Sequence, residues 1–217
     1  MLRACPGGLQ PLHRRLFSSK VQGPTITSLA PRLFKANAGR VFDVVSNVDD
    51  YHSFVPFIEA SEVLRADKKL VGVAGSRVKG HPESTLEPLV DGEASRSFKK
   101  EFQATLTVGF GLPRGPRLSD TYTSLVKCRR VEALDGGLLE YSVLAQDLRD
   151  SSHFVGLGSL WVIRPRSVEA SVVEFSAWYQ LKSSNDLKDV GVEMIVNTSM
   201  PSVSSMQMVA FEKKAVG

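Results

Sequence analysis

Cysteine is nearly absent: Cys5 and Cys128 are the only two in 217 residues. That excludes a disulfide framework and a cysteine-based zinc site. No stretch approaches the ~18 uninterrupted apolar residues of a membrane-spanning helix, which points to a soluble or peripheral protein. The histidines at 13, 52, 81 and 153 show no metal-ligand spacing. No G-x-S-x-G elbow or phosphate-binding glycine loop occurs, so catalysis has no motif behind it.

Acid is absent from one region in particular. Residues 1–22 carry Arg3, Arg14, Arg15 and Lys20 and neither Asp nor Glu. Leu9, Leu12 and Leu16 fall on one helical face there, and Ser18 and Ser19 follow "RRLF". This is the pattern of a mitochondrial presequence, and "RRLFSS" resembles a matrix-processing site. Removing those four bases from the chain's 27 leaves 23 against 23 acids in residues 23–217. The body is therefore electrostatically balanced and offers nucleic acid no basic surface. Loss of Cys5 with the presequence would leave Cys128 alone, as suits a reducing matrix.

The rest is ordinary globular sequence, 42% hydrophobic and 23% charged, with mean hydropathy −0.06. "TITSLAPRLFKA" (25–36) reads as an edge strand broken by Pro31. "NAGRVFDVVSNV" (37–48) reads as a helix capped by Asn37, with Val41, Val45 and Val48 on one face beside Phe42. A short turn, Tyr51 to Val55, follows and ends at Pro56; "ASEVLRA" (60–66) reads as a strand. Residues 67–97, rich in glycine and charge and without a period, read as a disordered insertion.

From residue 98 the period becomes two. Phe102, Ala104, Leu106, Val108 and Phe110 alternate with polar residues, and further strands follow at 118–134, 139–145, 158–165 and 169–183. Pro165 is expected to end the strand at 158–165. Residues 184–198 read as a polar connector, and 200–215 as a closing helix with Pro201 in its first turn. A meander with one polar face must cover its apolar face, and only the last helix is long enough to do so. The expected fold is α+β: a curved antiparallel sheet wrapped around a long C-terminal helix, a helix-grip (START-like) shape. In it "YHSFVPF" (51–57) would plug one open end.

"VFDVVSNVDDYHSFVPF", "FQATLTVGF", "YTSLV", "LWVIRP" and "MVAFEKKA" resemble the mitochondrial coenzyme Q-binding proteins of the START/polyketide-cyclase superfamily. The resemblance covers roughly residues 28–66, 98–181 and 200–215. The sequence departs from the family pattern at the 67–97 insertion, at the extra glycine of "VGFGLPRG" and in the register of the last helix. The resemblance implies a non-catalytic ubiquinone (coenzyme Q) carrier on the matrix side of the inner mitochondrial membrane. It would serve coenzyme Q biosynthesis and respiration, in contact with quinone-synthesis or respiratory complexes. No cofactor is implied beyond ubiquinone, or a polyprenyl precursor, as the bound ligand.

A lipid tunnel would be lined by Phe102, Leu106, Val108, Phe110, Phe175, Tyr179 and Met206, with Trp161 and Val209 completing it. Phe54, Pro56 and Phe57 would stand at its mouth. Tyr122, Ser124 or Tyr141 would donate to quinone carbonyls. For each of these residues ordinary core packing is the competing reading. The loop "VGFGLPRG" is a candidate membrane contact. Alternatives in other functional classes are a ribosome-associated protein resembling the RatA toxins, a polyketide cyclase or aromatase, and an adaptor with a collapsed core.

Overall fold

The computed structural model describes residues 25–64, 87–89, 95–111, 117–148, 151, 153–182 and 187–217. The expected presequence lies outside them.

Strand β1 (Thr25–Phe34) leads into helix α1 (Ala38–Ser46), a 3-10 turn (Val48–Asp50) and the short helix α2 (Tyr51–Phe54). Strands β2 (Ile58–Val63), β3 (Glu87–Leu89), β4 (Ser95–Gly111), β5 (Arg117–Ala133), β6 (Leu138–Asp147), β7 (Phe154–Ser167) and β8 (Ala170–Leu181) follow. Helix α3 (Leu187–Val216) closes the chain. Seven strands run β1-β8-β7-β6-β5-β4-β2, all antiparallel, and β3 adds to the outer edge of β4. This is the α+β helix-grip architecture expected from the order of elements.

Local chemistry explains each piece. The Asn37 side chain accepts the Arg40 N–H at 2.7 Å, satisfying an orphan donor at the start of α1. Val41, Phe42, Val45 and Val48 are buried as their spacing requires. Pro31 falls where the β1–β8 register shifts between Leu29 and Arg32, on an edge strand where a missing N–H is tolerated. β4 and β5 pair without irregularity from Ser95↔Ala133 to Gly111↔Arg117. Phe102, Ala104, Leu106 and Val108 face inward from β4, and Val173, Phe175, Ala177 and Tyr179 from β8.

Three expectations fail. Within the expected disordered insertion, Glu87–Leu89 pairs with Ser97–Lys99 and Ser95 already opens β4, so cross-strand pairing carries order where the sequence has no period. Residues 67–86 and 90–94 lie outside the described residues. Strand β7 runs past Pro165 to Ser167, because its pairing to β6 ends at Tyr141↔Ile163 and a register shift follows on the β8 side. Pro165 itself pairs with Ser171 of β8 at the last position before that shift, where a missing N–H is tolerated. The polar connector is helix from Leu187 onward, with Pro201 inside α3 rather than at its start. An interior proline removes one helical hydrogen bond and costs about 3 kcal/mol. Packing on both sides of it offsets the loss: Val196 and Met200 join Phe154 and Tyr179, while Met208 and Phe211 enter the main core.

Candidate functional site

Sheet and helix do not close completely on one another. Between them lies a cavity offering ≈ 120 Å³ to the centres of water molecules. One water needs about 10–15 Å³ by that measure, so the space suits an organic group rather than a stray solvent molecule.

The plug supplies one wall through Val48, Tyr51, Val55 and Ile58. Its shape rests on two features of the kinked connector. The Tyr51 hydroxyl donates to the Val45 carbonyl, fastening α2 to α1. Phe57 adopts φ 69°, a left-handed conformation uncommon for a bulky residue, and its carbonyl accepts the Gly109 N–H at 2.8 Å. That turn delivers Ile58 to the cavity. "FVPF" thus works as a wall: Val55 lines the space and Phe54 braces it from behind, edge-on to Phe211 at 5.2 Å.

Leu106 and Val108 of β4, Tyr122, Ser124 and Val126 of β5, and Val143 and Ala145 of β6 form the second wall. The third is aromatic. Trp161 lies 4.4 Å from Phe175 and 4.6 Å from Phe211, ring centroid to centroid, and all three line the space. Phe154, Leu157 and Ser159 extend the β7 side, and Ala177 the β8 side. Helix α3 contributes Met200, Val203, Gln207 and Phe211.

Of the residues expected to line a tunnel, Leu106, Val108, Tyr122, Trp161 and Phe175 are on the wall, with Ser124 as a hydroxyl donor. Others are placed elsewhere. Phe102 is buried in the core beyond the cavity, beneath the Lys100 ammonium at 5.1 Å. Tyr141 stacks on Phe42 at 4.3 Å, so its ring fills the core under α1 and is no donor to the cavity. Tyr179 packs against Phe154 in the smaller cluster. Pro56 and Phe57 shape the connector without lining the space. The Phe110 side chain lies outside the described residues.

Met206 and Val209 correct the expected helix register. Met206 is 42% exposed, and neither residue is on the wall. The lining face reads 200, 203, 207, 211; one residue turns a helix by about 100°, so a small error of register exchanged the faces. Val126, Val143, Ala145 and Ala177 escaped the sequence reading although alternation marks them as inward. What no periodicity reveals is which inward positions border empty space.

Among the described residues no charged side chain lines the cavity. Its polar groups are the phenols of Tyr51 and Tyr122, the hydroxyls of Ser124 and Ser159, and the Gln207 amide. Both phenols are pushed above the ordinary tyrosine value. Burial is the main cause for each; Cys128 and Tyr122 add to it for Tyr51, and Asp147 and Asp120 for Tyr122. They stay protonated and able to donate. Burial also pushes the neighbouring Cys128 thiol up to about 12, against the pull of Lys100, so it is inert as a nucleophile. Among the described residues no three His, Cys, Asp or Glu side chains are placed to hold a metal, and no helix is long and apolar enough to cross a membrane.

The family model "Polyketide cyclase / dehydrase and lipid transport" matches residues 34–110, the stretch that builds the plug and the β2–β4 wall. Among solved structures, the Zhui aromatase/cyclase from Streptomyces sp. R1128 is similar over 89% of this chain and 94% of its own, with a TM-score of 0.56 and 12% identity. A STAR-related lipid transfer protein from Xanthomonas axonopodis, fragment 25–204, is similar over 92% and 97%, with a TM-score of 0.51 and 11% identity. No curated protein matches. The family model is matched over residues 34–110 alone, and the two solved structures share with this chain the helix-grip (START-like) fold.

Proposed function

We propose that this chain binds ubiquinone, or a polyprenyl precursor of it, in the cavity between sheet and α3 and acts as a non-catalytic carrier serving quinone synthesis and respiration. The observation that carries the reading is an apolar cavity between sheet and helix whose described wall residues bear no charge and a few hydroxyls. A polyprenyl chain in water costs on the order of 0.8 kcal/mol per methylene, so a carrier must cover it with apolar wall. Two quinone carbonyls need one or two donors, and Tyr122 and Ser124 stand on the wall with protons to give. The acid-free first 22 residues support a mitochondrial location, with the domain acting at the matrix face of the inner membrane.

The cyclase reading draws on one of the solved folds. It needs a group on the wall that exchanges protons near neutral pH. Among the described residues the wall's titratable groups are the two phenols, both pushed upward, which weighs against that reading. Ribosome association is disfavoured by the balanced charge of residues 23–217.

The test is to purify the chain from a quinone-producing host, extract it with solvent and identify the bound lipid by mass spectrometry. Ubiquinone at a substantial fraction of the protein, lost in Leu106→Trp, supports the reading. Folded protein that stays empty after incubation with quinone-loaded liposomes refutes it.

A further inference from the structure

The hollow between sheet and helix has its cause in the strand register. Ser159 of β7 pairs with Ala145 of β6 on one side and Ala177 of β8 on the other, and all three line the cavity. Three small side chains therefore lie in one row across the sheet. The next inward row, Val143–Trp161–Phe175, is bulky, and its two aromatic rings wall one end of the hollow. Helix α3 passes over β7 in the same order: Val196 and Met200 cluster with Phe154, and Phe211 meets Trp161. Gln207, one turn before Phe211, is thereby set across the hollow from Ser159, two residues before Trp161.

The polar groups of the wall form two poles. Tyr122 and Ser124 point inward from β5, while Ser159 and Gln207 stand on the β7 side. Neighbouring strands lie about 4.8 Å apart, so β5 and β7 hold Ser124 and Ser159 roughly 10 Å apart across the sheet. Size decides which part of a lipid fits between them. At about 10–15 Å³ for each water centre, the cavity's ≈ 120 Å³ is room for roughly ten waters, and so for roughly as many ligand heavy atoms. A substituted ring fills that space; a polyprenyl chain exceeds it after roughly two isoprene units.

We infer that the cavity takes the head of its ligand, a planar ring with an oxygen at each of two opposite ends, and leaves the tail outside. Tyr122 and Ser124 meet one oxygen; Ser159 and Gln207 meet the other and are specificity-determining. A ring in the hollow reaches Trp161 and Phe175 in the offset or edge-on arrangements that aromatic pairs favour. A hydrocarbon chain there would cover the hydroxyls and the amide with groups unable to bond them. A quinone or hydroquinone oxygen satisfies them instead. The inference deepens the proposed function: it rests on this cavity being the ligand site, and not on the ligand being ubiquinone.

The experiment is equilibrium dialysis of the full-length chain against three ligands. Duroquinone carries the two opposed oxygens, durene is the same tetramethyl ring without them, and farnesol is an isoprenoid chain without a ring. Duroquinone should bind at least about tenfold more tightly than farnesol. Ser159→Ala and Gln207→Leu, with folding checked by circular dichroism, should each weaken duroquinone roughly two- to tenfold, the range for one net hydrogen bond, and leave durene unweakened. Farnesol bound as tightly as duroquinone overturns the inference. So does duroquinone refused, or bound equally by the parent and both variants. Solvent extraction of the purified chain separates this outcome from the carrier reading. Duroquinone bound as expected by a chain that stays empty of ubiquinone leaves the inference standing and removes the quinone carrier. Ubiquinone found on a chain that prefers farnesol does the reverse.

Discussion

The ring of Phe54 stands edge-on to that of Phe211, centroids 5.2 Å apart at 85°. This pair fastens the plug near the start of the chain to the helix that ends it. Phe211 also meets Tyr51 at 5.1 Å and Trp161 at 4.6 Å while lining the cavity. One side chain therefore joins plug, helix, sheet and candidate site. Phe211→Ala is expected to destabilise the domain by about 3–5 kcal/mol, the range for deleting a buried phenyl group. A urea midpoint for the variant within experimental error of the parent's would remove Phe211 from this role.

Asn37 caps α1 through its side chain. Asn37→Ala should cost about 1 kcal/mol and Asn37→Asp almost nothing, because aspartate offers the same acceptor. Equal losses in the two variants would show that the cap contributes through something other than its oxygen. The same urea titration checks both.

Phe57 holds a left-handed backbone, and strain of this kind costs about 1–3 kcal/mol. Its side chain is absent from the cavity wall. Phe57→Asn should therefore be tolerated better than Phe54→Asn, whose ring packs against Tyr51 and Phe211. Thermal melts rank the two, and the reverse order would mean that the Phe57 ring carries packing worth more than the strain.

Two glycines of β7 predict opposite outcomes. A methyl group on Gly158 would meet the Trp178 ring at 2.3 Å and the Ala145 carbonyl at 2.7 Å, whereas one on Gly156 would meet nothing within 4 Å. Gly158→Ala should cost about 1–3 kcal/mol through overcrowding. Gly156→Ala should be near neutral or mildly stabilising, by about 0.4–1 kcal/mol, through reduced freedom of the unfolded chain.

Alkaline stability follows from the buried acids. The Cys128 thiol is pushed from 9.0 up to about 12, mainly by burial, so the unfolded chain gives up this proton at lower pH than the folded one. Its contribution is complete below about pH 9 and is lost as the pH rises from there toward 12. The Tyr51 and Tyr122 phenols are raised as well and steepen the loss above their unfolded values. The urea midpoint should fall progressively above about pH 9, and Cys128→Val should begin its fall later. A thiol reagent at neutral pH should label Cys128 only in denaturant.

Period-two alternation in 98–110 and 169–183 marked the inward faces of β4 and β8, and Asn37 marked the start of α1, because side-chain direction and capping are local properties of the chain. The element order then left one long helix to cover one apolar sheet face, which determined the architecture. The aromatic connector at 51–57 was legible as a plug for the same reason: bulky apolar residues on a kinked segment must face an interior.

Tertiary structure alone decided the remainder. Whether an inward residue packs or borders empty space depends on what stands opposite it, so Phe102 and Tyr141 became core while Val143 and Ala177 became wall. The start of α3 depended on Val196 and Met200 finding Phe154 and Tyr179 across the sheet, contacts distant in sequence that carried the helix through Pro201. Asp147 comes to stand opposite Ser124 through pairing of β5 with β6, and Asp120 meets Ser151 through a hydrogen bond. No spacing along the chain records that meeting, because register between strands is fixed by the turns and the packing that join them.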